Sequence, residues 1–325
     1  MSANHTNGRS QVKKGQPILS KDMEPFPENF GPIFFRNQFR TKIPLPTKSK
    51  YTDVKGKLAI ITGSNQGLGY EAARQLLSLG LSHLILAVRS LEKGKAAATR
   101  LRAATANTAA KIEVWQLDML SYTSIQDFSR KCESLDRIDI VIMNAGLGRI
   151  QFTTIPATGH EETVQVNHFS TALLTILLLP ILKQKGKSMG HPPRLTLVNS
   201  VMAHLCKVPN RDERPFLASF DDTKKLPWDP SERYGVSKLL SQFFIVKLTE
   251  MIAPEDVIIN MVDPGLTKGT GLGRDYTGIM YLFGLLFMTI AGRPVQRGAA
   301  TYVDAVLGHG KETHGCFLMN CNIAP

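Results

Sequence analysis

From residue 58 onward, short apolar runs alternate with longer stretches whose apolar residues recur at helical spacing. Leu58-Ala59-Ile60-Ile61, ending in Thr62-Gly63, has the continuous apolarity of a strand buried on both faces. Gly67 to Leu79 places Leu68, Ala72, Leu76 and Leu79 on one helical face and is closed by Gly80. The same rhythm predicts strands at His83–Val88, Ile112–Leu117, Ile138–Met143, Arg194–Val198, Val257–Val262 and Cys316–Met319. Between them it predicts helices at Ser90–Thr105, Ser121–Leu135, Glu161–Lys185, Ser231–Ile252 and Val295–Leu307. Val201–Pro230 has no clear period, and Thr267–Val295 is a Gly-rich, apolar excursion. Strict strand–helix alternation predicts an α/β fold, a doubly wound parallel sheet with helices on both faces.

Residues 1–57 break this rhythm, with six of the eighteen prolines. They hold eleven Lys/Arg and four Asp/Glu, a net +7 out of the chain's +12. The expected organisation is a basic, proline-broken leader over 1–52, with Phe34-Phe35 as a docking point, and one catalytic domain over 53–325. A leader of this kind is expected to be dispensable for chemistry, so that a chain starting near Lys50 still folds. Its charge leaves room for a peripheral membrane contact, but no dense basic cluster or aromatic RNA motif points to nucleic acid. The remaining composition, 43% hydrophobic and 20% charged over 325 residues, is that of a globular chain.

Cys132, Cys206, Cys316 and Cys321 lack the partners of a metal set and read as reduced thiols. Met1–Gln16 lacks the apolar stretch of a secretory signal, so a cytoplasmic location is expected. The apolar runs Thr171–Leu182 and Gly278–Ala291 are shorter than the ~20 residues of a membrane span. Each suits a buried helix or a substrate-lining segment.

Candidate chemistry gathers at the predicted strand ends, where a doubly wound sheet binds its ligands. Gly63-Ser64-Asn65-Gln66-Gly67-Leu68-Gly69 joins a strand to a helix. Glycines there permit close backbone approach, and the helix N-terminus favours pyrophosphate, as in a Rossmann fold. The second strand ends in Val88-Arg89-Ser90, with Lys93 near, where a carboxylate would select NAD. A guanidinium instead suits the 2′-phosphate of NADP. Tyr234 and Lys238 are four apart on a predicted helix, which sets an ammonium beside a phenol. That charge is expected to lower the phenol pKa towards neutrality and fit it for proton transfer.

Together the glycine pattern, Asp118, Asn144-Ala145-Gly146, Asn167, Ser200, Tyr234-x-x-x-Lys238 and Pro264-Gly265 resemble the short-chain dehydrogenase/reductase family. The resemblance covers roughly Lys57 to Asn320. "AVRSLEKG" (Ala87–Gly94) and the long gap from Ser200 to Tyr234 look like the retinol-dehydrogenase-like branch and its fungal relatives. The resemblance implies roles. Tyr234 would be the acid/base, and Lys238 would lower its pKa and hold the nicotinamide ribose. Ser200 would bond the substrate carbonyl, and Asn167 would fix a water that links Lys238 to solvent. Asp118 would contact adenine, Asn144 and Gly146 would form the floor under the cofactor, and Gly265 would let the nicotinamide approach. Gly63, Asn65, Gly67, Leu68 and Gly69 would line the phosphates, with Pro264 and either Thr267 or Thr270 at the carboxamide. His168 is expected to be structural.

The chain departs from the family pattern at Asn199, where a first serine is usual, and at Met143, where a first asparagine is usual. It also stops at Pro325, soon after the last expected strand, where relatives usually continue into another helix.

The expected activity is NADPH-dependent reduction of a ketone or aldehyde. The apolar segment Tyr276–Ile290 suggests a lipophilic substrate: a terpenoid, polyketide, steroid or retinoid-like molecule of secondary metabolism. Two alternatives stand beside it, NADP-dependent alcohol oxidation at the same site and a cofactor-binding scaffold without turnover. A homodimer is compatible with each.

Overall fold

A computed structural model describes residues 18–51, 54–270 and 288–325. Its centre is an eight-stranded sheet in the order β3-β2-β1-β4-β5-β6-β7-β8. The strands are β1 (Leu58–Thr62), β2 (His83–Val88), β3 (Lys111–Gln116), β4 (Ile140–Met143), β5 (Arg194–Val198), β6 (Ile258–Asp263), β7 (Phe317–Met319) and β8 (Asn322–Ala324). Every neighbouring pair is parallel except β7–β8, which is antiparallel. The predicted fold class is therefore observed. The short hairpin strand β8 has no counterpart in the sequence reading, because Asn322–Ala324 is too brief to carry a period.

Strand alternation feeds two cores. Leu58 and Ile60 face one side, where they pack with Phe128, Leu174, Ile245 and Phe317. Ala59 and Ile61 face the other, with Leu76, Leu101, Tyr302 and Val303. The first side is covered by α4 (Tyr122–Glu133), α6 (Thr171–Met189) and α7 (Pro230–Thr249). The second is covered by α2 (Gly67–Leu79), α3 (Leu91–Ala104) and a helix we number α8 (Val295–Leu307).

The helix expected as one piece over Glu161–Lys185 is interrupted. A short α5 (Glu162–Val164) passes through a π turn at Gln165–Ser170 before α6 begins. The whole stretch Glu162–Met189 is long and apolar enough to cross a bilayer, yet most of its apolar window is buried inside the fold. The aperiodic insert after β5 has a small core of its own. Phe220 and Leu226 pack there with Val164 and Val236.

The leader, from Ile18, lies against this domain. Phe317 N–H donates to Ser20 Oγ at 2.8 Å, and the Tyr51 hydroxyl donates to Asp304 at 2.5 Å. Between them runs a helical segment, α1 (Gly31–Phe35), continued by a π turn at Arg36–Arg40. Most of the apolar run Tyr276–Ile290 lies outside the described residues.

Candidate active site

Strands β1, β4, β5 and β6 are neighbours, so the segments leaving their carboxyl ends meet at one edge. The switch in strand order falls between β1 and β4. Asn144 binds these two ends together. Its Nδ2 donates to Thr62 O (2.8 Å) and Gly63 O (3.1 Å), while Ala145 N–H donates to Thr62 Oγ1 (2.8 Å). A Cβ at Gly69 would lie 2.5 Å from Asn144 Nδ2, so the asparagine fills the space this glycine leaves.

Helices α3, α4 and α7 start with a side chain on the first free amides: Ser90, Ser121 and Asp229. Helix α2 does not, because Gln66 offers no such bond. Its first amides and its dipole are therefore left for an outside acceptor. Gly67 is left-handed (φ +62°), and a Cβ there would meet nothing nearer than Thr270 Cα at 3.9 Å. An uncapped helix start with an open glycine above it fits the pyrophosphate of a dinucleotide. Asn65 and Leu68 belong to the same turn, with Leu68 buried beneath it.

Arg89 follows β2, and its exposed guanidinium makes no ion pair among the described residues. The sequence reading missed its neighbour in this corner. Arg100, on α3, donates to Asn65 O at 3.0 Å and stacks on Tyr70. Its only signal was a basic residue within a basic helix. Asp118 is half-buried and serves a turn, since its Oδ1 accepts from Leu120 N–H at 3.0 Å.

On α7, Tyr234 and Lys238 stand beside the end of β5. Lys238 Nζ donates to Val198 O at 2.9 Å and lies 5.8 Å from the Tyr234 ring centre. Ser200 lies at this end of β5, and its Oγ accepts from Met202 N–H at 3.2 Å. Gly235 makes this approach feasible, because a Cβ there would lie 2.8 Å from Met202 O. Asn199, in the place of the usual serine, braces the turn. It accepts from Ser200 N–H (2.9 Å) and donates to Gln242 Oε1 (3.3 Å).

Asn167 lies in the π turn, and its side chain is saturated by protein partners. Nδ2 donates to Leu147 O (2.8 Å) and Ser237 Oγ (2.9 Å), and Oδ1 accepts from Leu147 N–H (2.9 Å). Its backbone carbonyl accepts from Ser241 (2.7 Å). It thus fastens the chain after β4 onto α7 and places Gly146 over the ammonium. A Cβ at Gly146 would lie 3.4 Å from Lys238 Nζ. Next in the turn, His168 is buried, which pushes its imidazole down to about 4 and keeps it neutral. That agrees with a structural part.

The electrostatics differ from the sequence expectation in one respect. Burial pushes the Tyr234 phenol up to about 12, Asp263 adds to the rise, and the Ser200 hydroxyl opposes it. Burial also pulls Lys238 down to about 8. The helical spacing does place the cation near the phenol, but the low dielectric acts on both groups more strongly than their attraction. Asp263, which ends β6, was not recognised as part of the site. It is buried with its Oδ1 accepting from Val201 N–H at 3.4 Å, and burial holds its carboxyl above the usual range against the pull of Arg293. The nearby Tyr302 hydroxyl is buried and has no hydrogen-bond partner among the described residues.

After Asp263 comes Pro264-Gly265-Leu266-Thr267. The Thr267 hydroxyl turns inward to Gly265 O (3.0 Å) and Pro264 O (3.3 Å). The expected catalytic residues and the glycine cradle are thus brought to one edge of the sheet.

Comparison with known proteins agrees with this geometry. The family model for short chain dehydrogenases matches residues 57–191. A short chain dehydrogenase/reductase of Annulohypoxylon moriforme, mfmJ, is 50% identical over 310 residues, covering 95% of this chain and 88% of its own. A short chain dehydrogenase of Hypocrea virens, virL, is 46% identical, covering 90% of this chain and 83% of its own. Among solved structures, a short-chain dehydrogenase from Sphingobium yanoikuyae in complex with NADPH superposes with a TM-score of 0.57. It is 19% identical, and the match covers 76% of this chain and 82% of that one. The chain belongs to the short-chain dehydrogenase family of oxidoreductases, with fungal relatives.

Proposed function

We propose that the protein is an NADPH-dependent reductase of a ketone or aldehyde carried on a lipophilic small molecule. The observation that carries this reading is Lys238, bonded to Val198 O two residues before Ser200 and 5.8 Å from the Tyr234 ring centre, at the same sheet edge as the uncapped start of α2. When bound, the dinucleotide supplies the hydride that goes to the carbonyl carbon. The chain's own residues do the rest. Ser200 and Tyr234 donate hydrogen bonds to the carbonyl oxygen as negative charge grows on it. Tyr234 then transfers its phenolic proton to that oxygen. The phenolate left behind is held by the Lys238 ammonium and is reprotonated from solvent. Asn167 keeps Gly146, Ser237 and therefore Lys238 in register.

The exposed guanidinium of Arg89, at the end of β2, supports the preference for NADPH, because it is available to a ribose 2′-phosphate. A lipophilic substrate is supported by the half-buried Leu147, Ile150, Phe152, Val201, Met202 and Trp228 on the segments flanking Ser200 and Tyr234. Such substrates are characteristic of fungal secondary metabolism. The exposed Phe35 and Phe39 beside Arg36 and Arg40 would suit a transient membrane contact. Exposed Ile176 and Phe243 would suit a homodimer. The four cysteines carry free thiols, in keeping with a cytoplasmic location.

The test is loss of NADPH absorbance against a panel of lipophilic ketones and aldehydes, with NADH in parallel. Turnover with NADPH is expected for at least one bulky carbonyl. Turnover with NADH alone would overturn the cofactor assignment. Reaction only with alcohols and NADP⁺ would reverse the direction.

A further inference from the structure

Gln38 is a leader residue, yet it lies where the chain leaves β6. Its Nε2 donates to Leu266 O at 2.8 Å and to Ala291 O at 2.7 Å. Its Oε1 accepts from Arg293 Nη2 at 3.1 Å. Both amide hydrogens and the carbonyl oxygen are thus in use, and each goes to a different residue. Leu266 and Ala291 are the two ends of the excursion between β6 and α8. The backbone joins them as well, through Arg293 N–H to Leu266 O (2.8 Å) and Lys268 N–H to Arg293 O (3.0 Å).

Arg293 is the buried hub of this junction. Besides Gln38, its Nη2 donates to Asn37 O (3.1 Å) and Asn320 Oδ1 (3.0 Å). The guanidinium and the amide together press on Gly265, which is left-handed (φ +68°). A Cβ there would lie 2.7 Å from Arg293 Cζ and 2.9 Å from Gln38 Oε1. The absence of a side chain at Gly265 is therefore required by this clamp, whatever binds on the cleft side. Asp263 is two residues earlier, and Arg293 draws its carboxyl downward against burial. Gln38 thus holds the Pro264–Thr267 loop directly and holds the cation that faces Asp263.

We propose that Gln38 is a positioning residue of the active site, a clamp by which the leader fixes the loop expected to carry the nicotinamide end of the cofactor. The cofactor part of this statement rests on the reading in the preceding subsection. The clamp itself is a property of the ligand-free chain.

Two near-isosteric variants of the full chain separate a clamp from a passive packing contact. Gln38→Met keeps the length and loses all three hydrogen bonds. Gln38→Glu keeps an acceptor for Arg293 but turns a carboxylate oxygen towards the carbonyls of Leu266 and Ala291. Hydrogen exchange in the ligand-free proteins should be about tenfold faster in both variants at the Lys268 and Arg293 amides, with β1 to β5 unchanged. NADPH dissociation, followed by fluorescence, should weaken by roughly tenfold in both, while substrate KM stays near that of the parent. Q38E behaving like the parent in exchange would overturn the clamp, because only the Arg293 contact would then matter. Faster exchange with unchanged NADPH affinity would overturn the role in the site and leave a local tie. Should Q38M fail to fold, Q38E decides alone. If the parent chain binds neither NADPH nor NADH, the cofactor reading falls, while the exchange result still decides whether Gln38 fixes the loop.

Discussion

The buried carboxyl of Asp263 and the phenol of Tyr234 lie within electrostatic reach of one another, at the end of β6 and on α7. Burial is the larger cause of the raised phenol, and Asp263 adds to it. Asp263→Asn keeps an acceptor for Val201 N–H and removes the charge. The Tyr234 pKa should then fall from about 12, so the protonated donor is lost at lower pH as pH rises. In single-turnover hydride transfer, the alkaline limb of the rate profile should move to lower pH. An unmoved limb would show that Asp263 does not act on the proton donor.

Tyr234→Phe deletes one hydroxyl and keeps the ring. Turnover should drop by ~10²–10⁴-fold with NADPH affinity nearly unchanged. Lys238→Ala should lose turnover and weaken NADPH as well. The double variant should be little worse than either single one, since both disable one proton-delivery unit. Stopped-flow transfer with parallel cofactor titration tests this, and near-normal turnover in Tyr234→Phe would remove the catalytic assignment.

The two arginines at the glycine turn should behave differently. Arg89 is free to meet a 2′-phosphate, so Arg89→Ala should raise the NADPH Kd roughly ten- to a hundredfold and leave NADH little changed. Arg100 holds Asn65 O, part of the turn itself, so Arg100→Ala should weaken both cofactors. Equal weakening of both by Arg89→Ala would contradict the assignment.

Asp304 makes stability sensitive to acid. Burial alone would raise its carboxyl, but bonds from His309, Tyr51 and Lys50 outweigh that and hold it at about 2, below its ordinary 3.8. A depressed acid contributes stability above its unfolded pKa and loses it as pH falls through the folded value. On the order of 2 kcal/mol should therefore disappear between about pH 4 and pH 2. Denaturant titrations across that window should show a shallower pH dependence in Asp304→Asn. An identical slope in both proteins would rule this out.

The leader contacts alter the expectation that it is dispensable. Removing residues 1–49 deletes Ser20, Asn37, Gln38 and the buried Ile43. The shortened chain should unfold several degrees earlier and bind NADPH more weakly, as read by thermal melts and cofactor titration. A melt and an affinity equal to those of the full chain would show that the leader is dispensable.

The sheet was legible because its strands are buried on both faces and carry unbroken apolar runs such as Leu58–Ile61. The glycine cradle and the Tyr234–Lys238 pair could be proposed because their spacing is local, whereas Ser200 followed only from the family resemblance. What escaped depends on contacts across the fold. Asp263 matters through Tyr234, Arg293 and Lys238, none adjacent in sequence. The raised phenol was missed because helical spacing reports the nearby cation but says nothing of burial. The pairing of Asn167 with Leu147, Ser237 and Ser241 needs three distant segments in place. Gln38 is one polar residue in a stretch without periodicity, and its partners are 228 and 253 positions away.

Those separations bear on how the chain is made. During synthesis, residues 18–51 are made before the strands they contact, and Ser20 must wait for Phe317, 297 positions later. The parallel strands up to β6 can assemble in the meantime. Closing so long a loop is slow relative to local pairing. The clamp on the loop after Asp263 therefore waits for residues 266 to 293 to be made, and the nascent chain carries an unseated, basic segment until then. Any factor that holds this segment during translation would delay maturation of the site without unfolding the sheet.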